Sequence, residues 1–124
     1  MYEIMIYEDN RGRSEIGDFL CELNANAHSN KNSRIRLKKF SEYIEILKAH
    51  GIYAGMPFVK HIAGTDLWEL RPADDRVFFF CLSGNRIILL HHFVKKSRKT
   101  PRREIEKAQY NLIDFIEREG LKHD

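Results

Sequence analysis

The sequence predicts an α+β domain in the order β-α-α-β-β-β-α. A small antiparallel or mixed sheet would carry a helical hairpin on one face, with a C-terminal helix closing the chain. Three observations predict this. Apolar residues recur at three-to-four spacing in three segments, two in succession in the first half and one at the end. Between them, Leu67 to Phe93 breaks into short β-branched and aromatic runs separated by turn residues. The 124 residues, 43% hydrophobic and 11% aromatic, hold enough apolar surface for one core and show no repeat, linker or low-complexity segment. Residues 1–124 therefore read as a single domain.

Tyr2 to Tyr7 (YEIMIY) reads as a first strand, and Asp9-Asn10-Arg11-Gly12 as the turn after it. Ser14 can cap a helix through about Ala27, with Ile16, Phe19, Leu20, Leu23 and Ala27 on one face. The polar stretch Asn24 to Ser33 predicts a frayed end and a loop. A second helix follows from about Ser33 to His50 and stops at Gly51. Leu37, Phe40, Ile44 and Leu47 form its buried stripe, while Arg34, Arg36, Lys38 and Lys39 are expected in solvent or against phosphate.

Gly51 to Thr65 is irregular, with an extended edge over Phe58 to Ile62. Leu67–Arg71, Arg76–Leu82 and Arg86–Phe93 read as a meander joined by Pro72-Ala73-Asp74-Asp75 and Ser83-Gly84-Asn85. Thr100 as N-cap and Pro101 at the first helical position open the last helix. Its stripe is Ile105, Ala108, Leu112 and Ile116 (or Phe115), and Gly120 is expected to end it.

Composition narrows the function classes. No run of eighteen apolar residues is present, so no membrane span is expected, and the N-terminus lacks the pattern of a signal peptide. Cys21 and Cys81, in a helix and a strand, read as buried thiols of a cytoplasmic protein. No metal site is expected, because no ligand set sits at suitable spacing, and no cofactor motif occurs. Net charge is only +3, but Lys95 to Arg103 (KKSRKTPRR) holds six cations and no acid. Such a block marks an anionic partner more specifically than net charge does.

Alternation along LWELR sends Trp68 and Leu70 to one face and Leu67, Glu69 and Arg71 to the other. The second face reads as open. Arg76 begins the next strand beyond a tight turn, so it should lie near Arg71. Two neighbouring guanidiniums repel unless an anion lies between them, and phosphate is a natural one. The bland alternative is a surface ion pair, Arg71–Glu69 or Arg76–Asp74. His91 and His92 should face opposite ways, one into the core and the other toward solvent or a site, where it could act as acid or base. Phe78, Phe79 and Phe80 read as core, although Phe78 and Phe80 share the face of Arg76 and could stack on a base.

The string LWELRP…RVFFF…ILLHHF.KKS.KTP..EIE.A resembles the HigB-like branch of the RelE/ParE toxin superfamily, a branch also found in phage genomes. The resemblance runs from the first strand into the last helix and is strongest from Lys60 to Ala108. It implies a toxin of a type II toxin–antitoxin pair that enters the ribosomal A site and cuts mRNA without metal or cofactor. In that mechanism the ribose 2′-OH attacks the adjacent phosphorus. Arg71 and Arg76 would hold the scissile phosphate, with Lys60, Lys95, Lys96, Arg98 and Lys99 binding RNA. Glu69 or His92 would serve as base or acid, although a lysine can also serve. Some members place a lysine where this chain has Glu69, and some use a C-terminal tyrosine; here no tyrosine follows Tyr110. The implied partners are mRNA, the ribosome and a helix-turn-helix antitoxin of HigA type. A ParE-type gyrase poison and a non-catalytic nucleic-acid-binding module stand as alternatives.

Overall fold

The computed structural model describes residues 1–123, with side chains through residue 120. A five-stranded sheet has the order β1-β5-β4-β3-β2. Its strands are β1 (Glu3–Ile6), β2 (Val59–His61), β3 (Trp68–Leu70), β4 (Asp75–Leu82) and β5 (Arg86–Val94). β1 runs parallel to β5 and every other pairing is antiparallel, so the sheet is mixed. The helices are α1 (Glu15–Asn26), α2 (Lys31–His50) and α3 (Arg102–His123). The fold is the expected α+β architecture, with β2 realised as a fifth, edge strand.

Both faces of the sheet are covered, which gives three layers. On one face the α1–α2 hairpin packs Ile16, Phe40 and Leu47 on Val59, Leu70, Val77, Phe79, Ile87 and Leu89. On the other, Ala108 and Phe115 of α3 pack on Leu67, Phe78, Ile88, Leu90 and Phe93. Phe78 and Phe79 are fully buried on opposite faces, so the aromatic run fills the two cores. A register shift between Phe78 and Phe79 lets Leu90 and His91 both serve the α3 layer.

Local chemistry sets the helix ends. Ser14 Oγ accepts from the Gly17 N–H and starts α1 as expected. α2 begins two residues before its predicted start, because Asn30 caps it by accepting from the Ser33 N–H. Gly51 ends α2 at φ 58°, and a Cβ there would stand 2.6 Å from Tyr2 Cζ. α3 opens at Arg102, with the Pro101 carbonyl accepting from the Glu104 N–H.

Three expectations are corrected. α3 continues through Gly120 to His123; Gly120 keeps a helical conformation, and glycine weakens a helix without being obliged to end it. In its stripe Phe115 is buried and Ile116 is exposed. Cys21 and Cys81 are free but exposed, not buried: Cys21 sits on the outer face of α1, and Cys81 near the end of β4. Burial of part of its surface still pushes the Cys81 thiol pKa up. Among the described residues no helix is long and apolar enough to cross a membrane.

Candidate functional site

The third and fourth strands place the predicted arginines together. Glu69 pairs across the ladder with Lys60 on β2 and Phe78 on β4. Residues paired this way share a face, so Lys60 and Glu69 lie on the α3 side. The Arg71 Nε is 3.4 Å from Glu69 Oε1, and the Arg76 Nε is 3.8 Å from the same oxygen. Two guanidiniums thus share one carboxylate.

The carboxylate is not on an open face, as expected, but beneath one: its side chain is 2% exposed. α3 lies over β4 and β5, and Phe78 walls one side of Glu69. Arg76 is also buried. Its Nη1 donates to the carbonyls of Ala73 (2.6 Å) and Asp75 (2.9 Å), which braces the β3–β4 turn where Ala73 takes φ 55°. The expected Arg76–Asp74 surface pair is replaced by these bonds. Burial pushes the Arg76 guanidinium pKa below its ordinary value, Glu69 opposes that shift and Arg71 adds to it. Arg71 is the more accessible of the two, with Nη1 3.2 Å from Met56 Sδ.

Neither Nε makes a well-angled hydrogen bond, and Glu69 Oε2 has no partner among the described residues. The three groups carry a net charge of +1. Lys60 is exposed beside them. The Lys95 N–H donates to the Asp74 carbonyl at 2.8 Å, so the basic loop leaves the sheet beside the same turn. Lys96, Arg98 and Lys99 are exposed on that loop.

His92 is not part of this cluster. It pairs with Val77 in the ladder and faces the helical hairpin, on the opposite side of the sheet from Glu69. Its ring stacks on Phe19 with centroids 3.6 Å apart, and its Nε2 lies 2.9 Å from Asp75 Oδ1. Arg36 completes that second cluster, with Nε and Nη2 on Asp75 Oδ2 and Oδ1 at 3.0 and 2.6 Å. Arg36 was expected in solvent; a buried carboxylate from the sheet draws it inward. Burial alone would raise the Asp75 pKa, but the bonds from His92 and Arg36 outweigh it and hold the carboxyl below the usual range.

His91 faces the α3 layer, and neither histidine points to solvent as one was expected to: their side chains are 6% and 11% exposed. The His91 Nε2 lies 2.9 Å from Glu104 Oε1. Nδ1 is 2.7 Å from Glu15 Oε1, short in distance but poorly angled for a hydrogen bond. Asp75, Arg36 and the Glu15–His91–Glu104 bridge escaped the sequence reading. Their partners lie from 13 to 39 or more residues apart and on different elements, and no local spacing marks them.

A cleft of about 750 Å³ lies between α1, β5 and α3. Asp9, Glu15, Asp18, Glu22 and Asp114 line it against Arg13 and Lys107, so it repels a phosphate backbone. The clustered guanidiniums of Arg71 and Arg76 lie outside this cavity, at the shallow turn between β3 and β4. Among the described residues, no group of three or more His, Cys, Asp or Glu side chains is arranged to hold a metal ion.

A mixed five-stranded sheet between a helical hairpin and a C-terminal helix is a RelE-like toxin fold. Residues 27–112 match the family described as phage derived protein Gp49-like (DUF891), and the chain belongs to that family. The family is associated with toxins of toxin–antitoxin pairs. No curated protein matches the chain.

Proposed function

We propose that this chain is a HigB-like toxin of a type II pair, a ribosome-dependent endoribonuclease that cuts mRNA in the A site. The observation that carries the reading is the sharing of one buried carboxylate by Arg71 and Arg76 next to a loop of free lysines and arginines. The pair retains a positive charge after internal compensation, and a phosphodiester is a monoanion. In the reaction the 2′-oxygen bonds to phosphorus and the bond from phosphorus to the 5′-oxygen breaks. The 2′-OH proton goes to a base, and an acid returns a proton to the 5′-oxygen, leaving a 2′,3′-cyclic phosphate and a 5′-OH. The arginines stabilise the charge that builds on the phosphorane. With His92 on the far face and Glu69 covered, proton transfer falls to Lys60 or Lys95 beside the clamp. Lys96, Arg98 and Lys99 hold the RNA backbone. The antitoxin is a helix-turn-helix protein of HigA type.

The test is primer extension on a reporter mRNA, with and without translating ribosomes, using the wild type and Arg71→Ala. Codon-register cuts that need ribosomes and vanish in Arg71→Ala are expected. Cuts on naked RNA would make it a free ribonuclease. Growth arrest without cuts would refute the nuclease and turn attention to gyrase, read by a supercoiling assay.

A further inference from the structure

We propose that Glu69 is a resident counter-ion that holds Arg71 and Arg76 as a pair while a substrate phosphate binds their unused Nη2 groups; it is a positioning residue, not a proton carrier. The proposal rests on the reading of the two arginines as a phosphate clamp. A buried carboxylate is costly unless paired and hydrogen-bonded. Glu69 is paired, through Oε1, but its contacts of 3.4 and 3.8 Å exceed the ~2.7–2.9 Å of a tight charge-assisted bond. Glu69 Oε2, Arg71 Nε and Arg76 Nε are all buried without a hydrogen bond among the described residues. Three such atoms in one cluster call for an explanation, since native interiors leave few polar atoms unsatisfied. The explanation is an attraction strong enough to gather the arginines but too loose to saturate them.

The geometry leaves capacity where a ligand needs it. Arg76 uses Nη1 on the turn and Arg71 uses Nη1 on Met56, and neither Nη2 has a protein partner among the described residues. A general base must come within about 3 Å of the proton it removes. At 2% exposure, the Glu69 carboxylate offers a ribose hydroxyl no such approach.

Removing the negative charge while keeping the shape separates the roles. In Glu69→Gln the two guanidiniums lose their counter-ion, so the protein melts lower in chloride. Inorganic phosphate, titrated at constant ionic strength, then half-saturates on the order of tenfold below the wild-type concentration, because one repulsive charge a few ångströms away is gone. An unchanged or raised half-saturation overturns the proposal, as does the absence of any phosphate effect on either protein. If Glu69→Gln fails to fold, Glu69→Gln with Arg71→Gln, which removes one charge of each sign, is expected to fold. Failure of both would make Glu69 a packing residue and overturn the proposal. Where the wild type cuts RNA, Glu69→Gln keeps its pH profile at a reduced rate, and loss of the acidic limb would restore Glu69 as a proton carrier. Tighter phosphate binding by Glu69→Gln without cutting by the wild type would sink the nuclease and leave the counter-ion standing. Cutting with unchanged phosphate binding would do the reverse.

Discussion

Asp75→Ala should be among the most damaging single substitutions, although it changes no apolar residue. Asp75 is 2% exposed and accepts three hydrogen bonds, two from Arg36 and one from His92. Alanine removes all three and leaves three donor groups, on two side chains, facing a void. Breaking a buried ion pair from one side costs roughly 3–5 kcal/mol. Arg36 is 27% exposed and can turn partly to water, which places the cost near the lower end, about 3 kcal/mol. His92 cannot follow, because its ring is stacked on Phe19. At ~4 °C per kcal/mol for a chain of this size, the melting temperature falls by roughly 12 °C. Urea unfolding near neutral pH measures the free energy directly. The pH dependence carries the same signature. The folded carboxyl is held below its ordinary value, so its contribution is present above the unfolded pKa and disappears as pH falls through the folded one. Asp75→Ala should flatten that acid limb. A loss under ~1 kcal/mol at neutral pH would mean the cluster behaves as a surface pair and would refute the reasoning.

His91 titrates in the opposite sense. Burial would lower its pKa, but Glu15 and Glu104 outweigh that and raise it above 6.5. Its stabilisation is therefore complete below the ordinary imidazole value and is lost as pH rises through the folded one. Urea midpoints of the wild type should fall more steeply over that window than those of His91→Gln; equal slopes would show that the bridge contributes nothing. Lys107, which acts on Glu15, is left unchanged in both proteins. Arg76→Ala should lose ~1–3 kcal/mol in the same assay, since two turn carbonyls lose their donor, whereas Arg71→Ala should stay within ~1 kcal/mol of the wild type. Equal losses would mean that Arg76 does not brace the turn. Lys95→Ala with Lys96→Ala should weaken cosedimentation with ribosomes and make the residual binding less sensitive to salt. Unchanged sedimentation at every salt concentration would remove the basic loop from the interface.

What could be read from the sequence was what local chemistry decides. Ser14 announces α1 because a cap needs only its own next three residues, and Gly51 ends α2 for an equally local reason. The meander showed itself because β-branched and aromatic runs met turn residues at strand length. Asn30 hid in a polar stretch in which several residues could have capped α2, so that helix began early. Alternation placed Glu69, Arg71 and Arg76 on one face, and this holds, since β3 and β4 pair without interruption there. It could not say how deeply Glu69 sits, because depth depends on the side chains that close around it from the neighbouring strands, Arg71, Arg76 and Phe78 among them. Nor could it say which histidine would face the arginines, because the register shift at Phe78/Phe79 cannot be read from the run of residues. Arg36 looked solvated because its partner comes from a strand 39 positions away.

The two buried carboxylates of this sheet offer a physical criterion for separating architecture from function. Both are 2% exposed, both lie on or beside β4, and both face arginine. Asp75 is saturated: both oxygens accept short bonds, and a stacked histidine closes the site. Nothing is left over for a ligand, and the cluster ties α2 to the sheet. Among the described residues, Glu69 has one oxygen between two cations and the other unpaired, while each cation keeps donors to spare. A fold optimised only for stability would saturate both or replace both with apolar residues. An unsaturated cluster is tolerable where a partner completes it, and under the function proposed above that partner is the phosphate of RNA. The same sheet therefore holds a closed electrostatic joint on the hairpin face and an open one on the face of α3, and chemistry is expected at the open one.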